Sequence, residues 1–306
     1  MGPTSHDVVD IVRRALGEER VGHLGTLDPF AEGLLVVVVG RATRLATFAA
    51  GWTKRYDGVM RLGITTDTDD ATGAVLKTEG VQVTAQQLDA ALGQFRGGYA
   101  QRPPAYSAVK IAGERAYRCA RRGEVVEPAA RRVEIESLEL VQYAAPDVTF
   151  SATVGGGTYL RSLARDVGAA LGCGGHLVRL RRTAVGPFRL EEAVAPDAVT
   201  LAEVRDPAPL VGHLQRRDLT AAERNAVVHG RPVARDPVGE SREPIALFSG
   251  SELLAVAEVE GEQLKPRVVV TDACSARSSR SERSTACTAV TSRCWPRWWA
   301  GRGQVD

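Results

Sequence analysis

Apolar residues recur with a helical period near the start of the chain, at Val8, Val9, Ile11, Val12, Ala15 and Leu16. Thr4 or Ser5 can cap this helix, and Gly17 can end it in a left-handed turn. A second helical segment carries Leu88, Leu92 and Phe95 behind a capping box of Thr84 and Gln87. A third follows Gly155, Gly156 and Gly157, with Leu160, Leu163, Val167 and Leu171 on one face and Gly172 behind them. The aliphatic run Leu34 to Val39 has the length of a buried strand, and Tyr56 to Leu62 reads as another. Val133 to Val141 and Val148 to Val154 read as a strand pair. Three stretches lack either period: the loop Gly22 to Gly33, the Asp/Thr-rich turn region Thr65 to Gly73, and Gln101 to Tyr117, where Pro103 and Pro104 exclude a regular helix at the start. Strands and helices without strict alternation predict an α+β fold, a mainly antiparallel mixed sheet flanked by helices.

Pro207 and Pro209 break the pattern between Asp206 and His213, which marks a domain boundary. Beyond it, a short helix at Ala221 to Val228 leads into strands at Ile245 to Phe248, Leu253 to Val259 and Arg267 to Val270, as in a small β-barrel module. The reading is therefore a domain over residues 1–212, a module over 213–270 and a tail over 271–306. The tail holds three of the five cysteines and three of the four tryptophans, with many Ser and Arg and no periodicity. It is expected to be disordered, or to be the out-of-frame translation of an arginine-biased coding sequence.

Composition narrows the class. With 44% hydrophobic and 25% charged residues the chain has material for a core. No stretch reads as a signal peptide or as a span of about 18 apolar residues, so the expectation is a cytoplasmic protein with no membrane partner. The cysteines are few and scattered, and no Cys-x-x-Cys or His-x-x-x-His spacing suggests a metal; Cys119 and Cys173 read as small buried hydrophobes. Net charge is only +2, yet just four of the 39 basic residues are lysine. Arginines gather at 115, 118, 121 and 122, at 131 and 132, and at 179, 181 and 182. Such clusters can meet phosphates, although each could equally be a solvated face.

In isolation Asp28, in Leu27-Asp28-Pro29, is a turn residue. Its surroundings say more. The block Gly22-His23-Leu24-Gly25-Thr26-Leu27-Asp28-Pro29-Phe30-Ala31-Glu32-Gly33 resembles the signature loop of TruB-type pseudouridine synthases, in which the Asp is the essential carboxylate. Further matches follow in order: Thr4-Ser5-His6-Asp7, Gly40-Arg41-Ala42-Thr43-Arg44, Lys54-Arg55-Tyr56, Leu62-Gly63, Thr66-Asp67-Thr68-Asp69, Gln101 to Lys110, Gly157-Thr158-Tyr159-Leu160-Arg161 and Leu180-Arg181-Arg182-Thr183. The resemblance covers roughly residues 1 to 190; over 213–270 a weaker one suggests a PUA-type RNA-binding module. Departures are Leu24 and Glu32 in the loop and Gly156 where Ser or Lys is common. The family also carries an extra strand and a Lys-Pro pair before Thr4, so either the natural start lies upstream or an edge strand is missing.

The resemblance implies isomerisation of one uridine, at position 55 in the T-loop of tRNA, without a cofactor. The reaction breaks the N1–C1′ bond, turns the uracil and rejoins it through C5, which calls for a carboxylate beside C1′ or C6. Asp28 is that group, and Arg161 is the cation that keeps it ionised in a closed pocket. Tyr159 sits by the base and is the candidate for proton transfer at C5. The base must leave the RNA stack. Tyr56 then stacks on it, Leu180 lines the pocket, and His23 fills the space vacated. Residues 104–132 match a mobile segment that closes on the stem-loop, where Lys110, Arg115, Arg118, Arg121 and Arg122 would meet phosphates. A monomer with no obligatory protein partner is expected. Two other readings stay open: a non-catalytic protein that binds and folds tRNA, and a pseudouridine synthase for another RNA, including a guide-dependent one.

Overall fold

The computed structural model of the chain describes residues 2–107, 109–111, 113–122, 124, 127–235, 244–271 and 285–291. In chain order the elements of the first half are α1 (Ser5–Leu16), β1 (Val21–His23), β2 (Glu32–Gly40), β3 (Lys54–Leu62), β4 (Ile64–Thr66), β5 (Val75–Thr78), α2 (Ala85–Gly93), β6 (Gly97–Gln101), β7 (Lys110–Ile111), β8 (Glu114–Arg115) and α3 (Ala116–Arg121). There follow β9 (Arg131–Ala144), β10 (Asp147–Val154), α4 (Leu160–Ala170), β11 (Gly175–Val185), β12 (Phe188–Arg189), β13 (Gln215–Asp218), α5 (Ala221–Val228), β14 (Val233–Ala234), β15 (Ile245–Ser249), β16 (Glu252–Glu260), β17 (Gln263–Val269) and β18 (Thr285–Thr291). The expected α+β class with a mainly antiparallel mixed sheet is what these elements form. Among the described residues no helix is long and apolar enough to cross a membrane.

Two compact units emerge. The first comprises Asp28–Gly33 and Gly51–Gly186, and the second Gly2–Leu27, Leu34–Ala50 and the chain from Pro187 onward. In the first, strands run in the order β11-β3-β10-β9-β6. All these neighbours are antiparallel. Residues Glu32 and Gly33, the end of the signature loop, join β11 in parallel opposite Arg181 and Arg182. Strand β3 alternates as its sequence predicts, with Tyr56, Gly58, Met60 and Leu62 buried. Helix α4 packs on β11 with Leu163, Ala164 and Val167 fully buried.

Two glycines are required by this packing. Gly33 has φ +102, and a Cβ there would lie 2.3 Å from the carbonyl oxygen of Arg182. At Gly168 in α4 a Cβ would lie 2.3 Å from the backbone of Gly174, so the helix could not approach the turn into β11.

Strand β11 runs well beyond the motif block Leu180–Thr183, and its arginines are the reason the pattern conceals it. Arg182 is 1% exposed within the sheet, where a lipophilic residue would normally announce a strand. Helix caps were more legible: Thr84 and Gln87 form the expected box, Thr4 forms one with Asp7, and Gly17 closes α1 at φ 63. Phe95 falls just past the end of α2, beyond Gly93.

In the second unit, Leu34 to Val39 of β2 are buried throughout. They are flanked by β1 over Val37 to Val39 and by β18 over Leu34 to Gly40, both antiparallel. A separate sheet has the order β13-β15-β16-β17-β14, with β13 parallel to β15. Its core is Val227 from α5 with Ile245, Leu247, Leu254, Ala257 and Leu264. The expected strands of 245–270 are present, with β17 starting earlier, at Gln263. The tail requires a correction: Thr285–Thr291 is a strand against β2, where disorder was expected. The tail segments 272–284 and 292–306 lie outside the described residues.

Candidate active site

Asp28 opens a turn: its carbonyl accepts from Ala31 N at 2.9 Å, with Pro29 at the second position. The local reading of Asp28 as a turn residue therefore holds for its backbone. Its side chain has another role. Arg161, on the second residue of α4, donates Nε to Oδ2 at 3.0 Å and Nη2 to Oδ1 at 3.1 Å. This bidentate pair fixes the carboxylate plane. Arg161 also donates Nη1 to the Thr68 carbonyl at 3.1 Å and Nη2 to the Tyr106 carbonyl at 3.0 Å. Its side chain is only 5% exposed, while that of Asp28 is 33% exposed and so remains reachable.

A second carboxylate completes the cluster. Asp70 Oδ2 lies 3.6 Å from Arg161 Nη1, and its side chain is 6% exposed. Asp70 Oδ1 accepts from Thr68 Oγ1 at 2.9 Å, from Thr72 Oγ1 at 2.6 Å and from Thr72 N at 2.9 Å. Thr66 Oγ1 donates to the Asp70 carbonyl at 2.7 Å. One guanidinium is thus shared by two carboxylates, one enclosed and one open. The sequence pattern presents Thr65 to Gly73 as a polar turn and does not single out Asp70. The available signal was a threonine two residues to either side of it.

Tyr159 occupies the N-cap position of α4 with extended backbone, φ −105 and ψ 115, and no side-chain cap of its own. Gln101, at the end of β6, holds it from both sides. Gln101 Oε1 accepts from Tyr159 N at 2.8 Å, and Nε2 donates to the Tyr159 carbonyl at 3.1 Å and to Tyr99 Oη. Tyr99 Oη in turn donates to Asp166 at 3.4 Å, and Arg165 joins Asp166 to Asp69 at 2.9 and 2.8 Å. Burial pushes Tyr99, Asp69 and Asp166 above their ordinary ranges, and for the two acids it outweighs the pull of Arg165.

The remaining expected residues are distributed as follows. Tyr56 is buried at 7% exposure and pairs in register with Arg182, which pairs in turn with Gly33. Leu180, also 7% exposed, lies two residues before Arg182 opposite Gly58. Partners across a sheet share a face, so Tyr56 and Leu180 line the same side of it. Lys54, at the start of this strand, donates to the Trp52 carbonyl at 3.0 Å, and burial, then the neighbouring Arg182, lowers its pKa. His23 ends β1 in the second unit, opposite Val37. The backbone of Lys110 pairs with Arg115 in the β7–β8 hairpin, and its side chain lies outside what is described. Arg122 is engaged by Glu114 and Glu124, each at 2.7 Å.

The family then follows from sequence comparison. A profile described as "TruB family pseudouridylate synthase (N terminal domain)" matches residues 13–160, and one described as "tRNA pseudouridylate synthase B C-terminal domain" matches 161–216. A protein named tRNA pseudouridine synthase B from Mycobacterium sp. (strain KMS) is 44% identical over 278 residues, covering 88% of this chain and 92% of its own. The chain belongs to the TruB family. A relative of the same name from Thermobifida fusca (strain YX) is 43% identical over 280 residues, covering 88% of this chain and 94% of its own. Among solved structures, a Cbf5-Nop10-Gar1 complex matches with TM-score 0.66 and 25% identity, over 89% of this chain and 83% of the other. An H/ACA RNP bound to a substrate RNA containing 2′-deoxyuridine matches with TM-score 0.65 and 23% identity over the same shares. The latter likeness is one of fold alone.

Proposed function

We propose that this chain converts uridine 55 in the T-loop of tRNA to pseudouridine, with Asp28 as the catalytic carboxylate. The observation that carries the reading is the bidentate Asp28–Arg161 pair, held at a buried guanidinium with one carboxylate partly open. The 44% identity to a tRNA pseudouridine synthase B supports the substrate class, against the guide-dependent alternative suggested by the more distant RNP neighbours.

The target uridine leaves the loop stack and enters the pocket. Asp28, oriented by Arg161, attacks or stabilises the reacting centre as the N1–C1′ bond breaks. The uracil turns, C5 bonds to C1′, the C5 proton departs and N1 gains one, so atoms and charge balance. Tyr159 takes part in the proton transfer at C5. Tyr56 stacks on the base, Leu180 walls the pocket, and His23 fills the vacated space in the RNA. Lys110, Arg115, Arg118 and Arg121 meet the phosphates, while Arg122 is held by Glu114 and Glu124. In this reading residues 1–212 form the catalytic domain and 213–270 a PUA-like RNA-binding module in a cytoplasmic monomer.

The experiment is a pseudouridine assay on an unmodified tRNA transcript with wild type and Asp28→Asn. Product at position 55 with wild type alone is expected. Tight binding without product from wild type would favour the binding-only reading, and product confined to another RNA would overturn the target.

A further inference from the structure

Gln101 and Arg131 are opposite one another in the β6–β9 ladder. The chain between them, residues 102–130, contains nearly all of the segment assigned above to RNA closure. Both residues also reach the same third residue. Gln101, 1% exposed, makes two hydrogen bonds to the backbone of Tyr159, accepting from its N–H at 2.8 Å and donating to its C=O at 3.1 Å. This is the paired exchange that one residue makes with its partner in an antiparallel ladder, supplied here by a side-chain amide. Arg131 places its guanidinium carbon 5.4 Å from the centroid of the Tyr159 ring, within cation–π range.

We propose that Gln101 and Arg131 are positioning residues for Tyr159, so that the base of the 102–130 excursion sets where this tyrosine meets the target uracil. The inference rests on the reading of Tyr159 as a base-pocket residue. Its physical content is that Tyr159 lacks a cap of its own at the head of α4. Without Gln101 the Tyr159 N–H would lose this acceptor, while its carbonyl would keep the Leu163 N–H at 3.0 Å. The N-terminal side of the residue, which carries the ring into the pocket, would then be held less firmly. The buried amide has another anchor in Tyr99, tied to Asp166 and through Arg165 to Asp69. The seat is therefore tied through Tyr99 to Asp166 within α4.

The test compares Gln101→Leu, Gln101→Glu and Arg131→Lys with wild type and Asp28→Asn on one unmodified tRNA transcript. Single-turnover rates with enzyme in excess, Kd by filter binding, and Tm are read in parallel. For Gln101→Leu the rate is expected to fall on the order of 10-fold with Kd within about twofold, since a small misplacement of a reacting group slows chemistry more than binding. Arg131→Lys keeps the charge that would meet a phosphate and loses the planar stack, so its rate should fall by a few fold at unchanged Kd. In a Tyr159→Ala background the same substitutions should add less than about a twofold loss, because coupled residues are not additive. If Gln101→Leu fails to fold, Gln101→Glu serves, as it keeps the acceptor for Tyr159 N–H and loses the donor. Unchanged rates, a loss wholly in Kd, or a full loss persisting in the Tyr159→Ala background would each overturn the inference. With wild type active and Asp28→Asn inactive, such a result sinks this inference alone; an inactive wild type sinks both it and the proposed function.

Discussion

Asp28 and Arg161 meet edge to edge, with two parallel hydrogen bonds of 3.0 and 3.1 Å. The two sides of the pair are unequal in a useful way. Arg161 is enclosed by Asp70 and by the carbonyls of Thr68 and Tyr106, so its position does not depend on Asp28 alone. Asp28 can therefore change partner during a reaction while its counter-charge stays in place. An enclosed, pre-oriented cation beside a reactive carboxylate is electrostatic preorganisation in its simplest form.

Replacing Asp28 with Asn keeps the turn and the size of the side chain but removes the carboxylate. Pseudouridine formation should drop below detection, while the Kd for a tRNA transcript changes by less than about threefold. Substantial product from this variant would remove Asp28 from the chemistry.

Arg161→Lys should be severe despite conserving charge. An ammonium has no fork to match the carboxylate and cannot reach the Thr68 and Tyr106 carbonyls together. A fall in kcat/KM of about 10² to 10³ is expected, comparable to losing one preorganised donor. Arg161→Met should also destabilise the fold, by roughly 3–5 kcal/mol, because Asp70 would be left buried beside no cation. Denaturant melts of the two variants separate these effects; equal stability of Met and Lys variants would contradict the role given to Asp70.

How much of this was legible in the sequence depends on the kind of signal. Asp28, Arg161, Tyr56 and Tyr159 stand in motif blocks and could be named at once. Periodicity found α1, α2 and α4 because their faces are cleanly two-sided. It understated β11, whose arginines mask a strand, and it missed Asp70 and Gln101. Gln101 works through hydrogen bonds to Tyr159, 58 positions along the chain, and Asp70 through an ion pair with the distant Arg161, and no local pattern reports either contact. The strand Thr285–Thr291 was also missed, since it lies between two segments without periodicity.

Gly33 offers a test of the loop rather than of the chemistry. Its φ of +102 and the 2.3 Å approach of the Arg182 carbonyl leave no room for a methyl group. Gly33→Ala should cost on the order of 1–3 kcal/mol of backbone strain and loosen the parallel pairing that ends the Asp28 loop. A drop in Tm of several degrees with a loss of activity larger than that of a surface Gly51→Ala control is expected.

Asp69 gives a pH-dependent prediction with a definite sign. Burial raises its pKa in the folded chain even though Arg165 lies 2.8 Å away. A carboxyl whose folded pKa is raised binds its proton more tightly when folded. Its ionisation therefore disfavours the fold, fully so above the folded pKa and not at all below the unfolded value of about 4. Asn would keep an acceptor for Arg165 and tolerates the φ of 60 observed here. Asp69→Asn should thus raise Tm at pH 7, with the advantage shrinking towards zero as the pH falls through the carboxylate range. An advantage that grows on acidification would reverse the assignment.

Glu114 and Glu124 hold Arg122 by hydrogen bonds of 2.7 Å each, which keep its charge from an incoming phosphate. Arg118, on the short helix α3 that precedes Arg122, is exposed. If residues 104–132 meet RNA as proposed, Arg118→Ala should weaken tRNA binding uniformly and reduce the slope of log Kd against log salt by roughly one. The double substitution Glu114→Gln with Glu124→Gln should do the opposite, since it frees Arg122 and removes two negative charges. Binding should tighten and the salt slope steepen by about one, with single-turnover chemistry unchanged. Titrations at several salt concentrations decide it: a slope indifferent to both changes would place this segment away from the phosphate backbone.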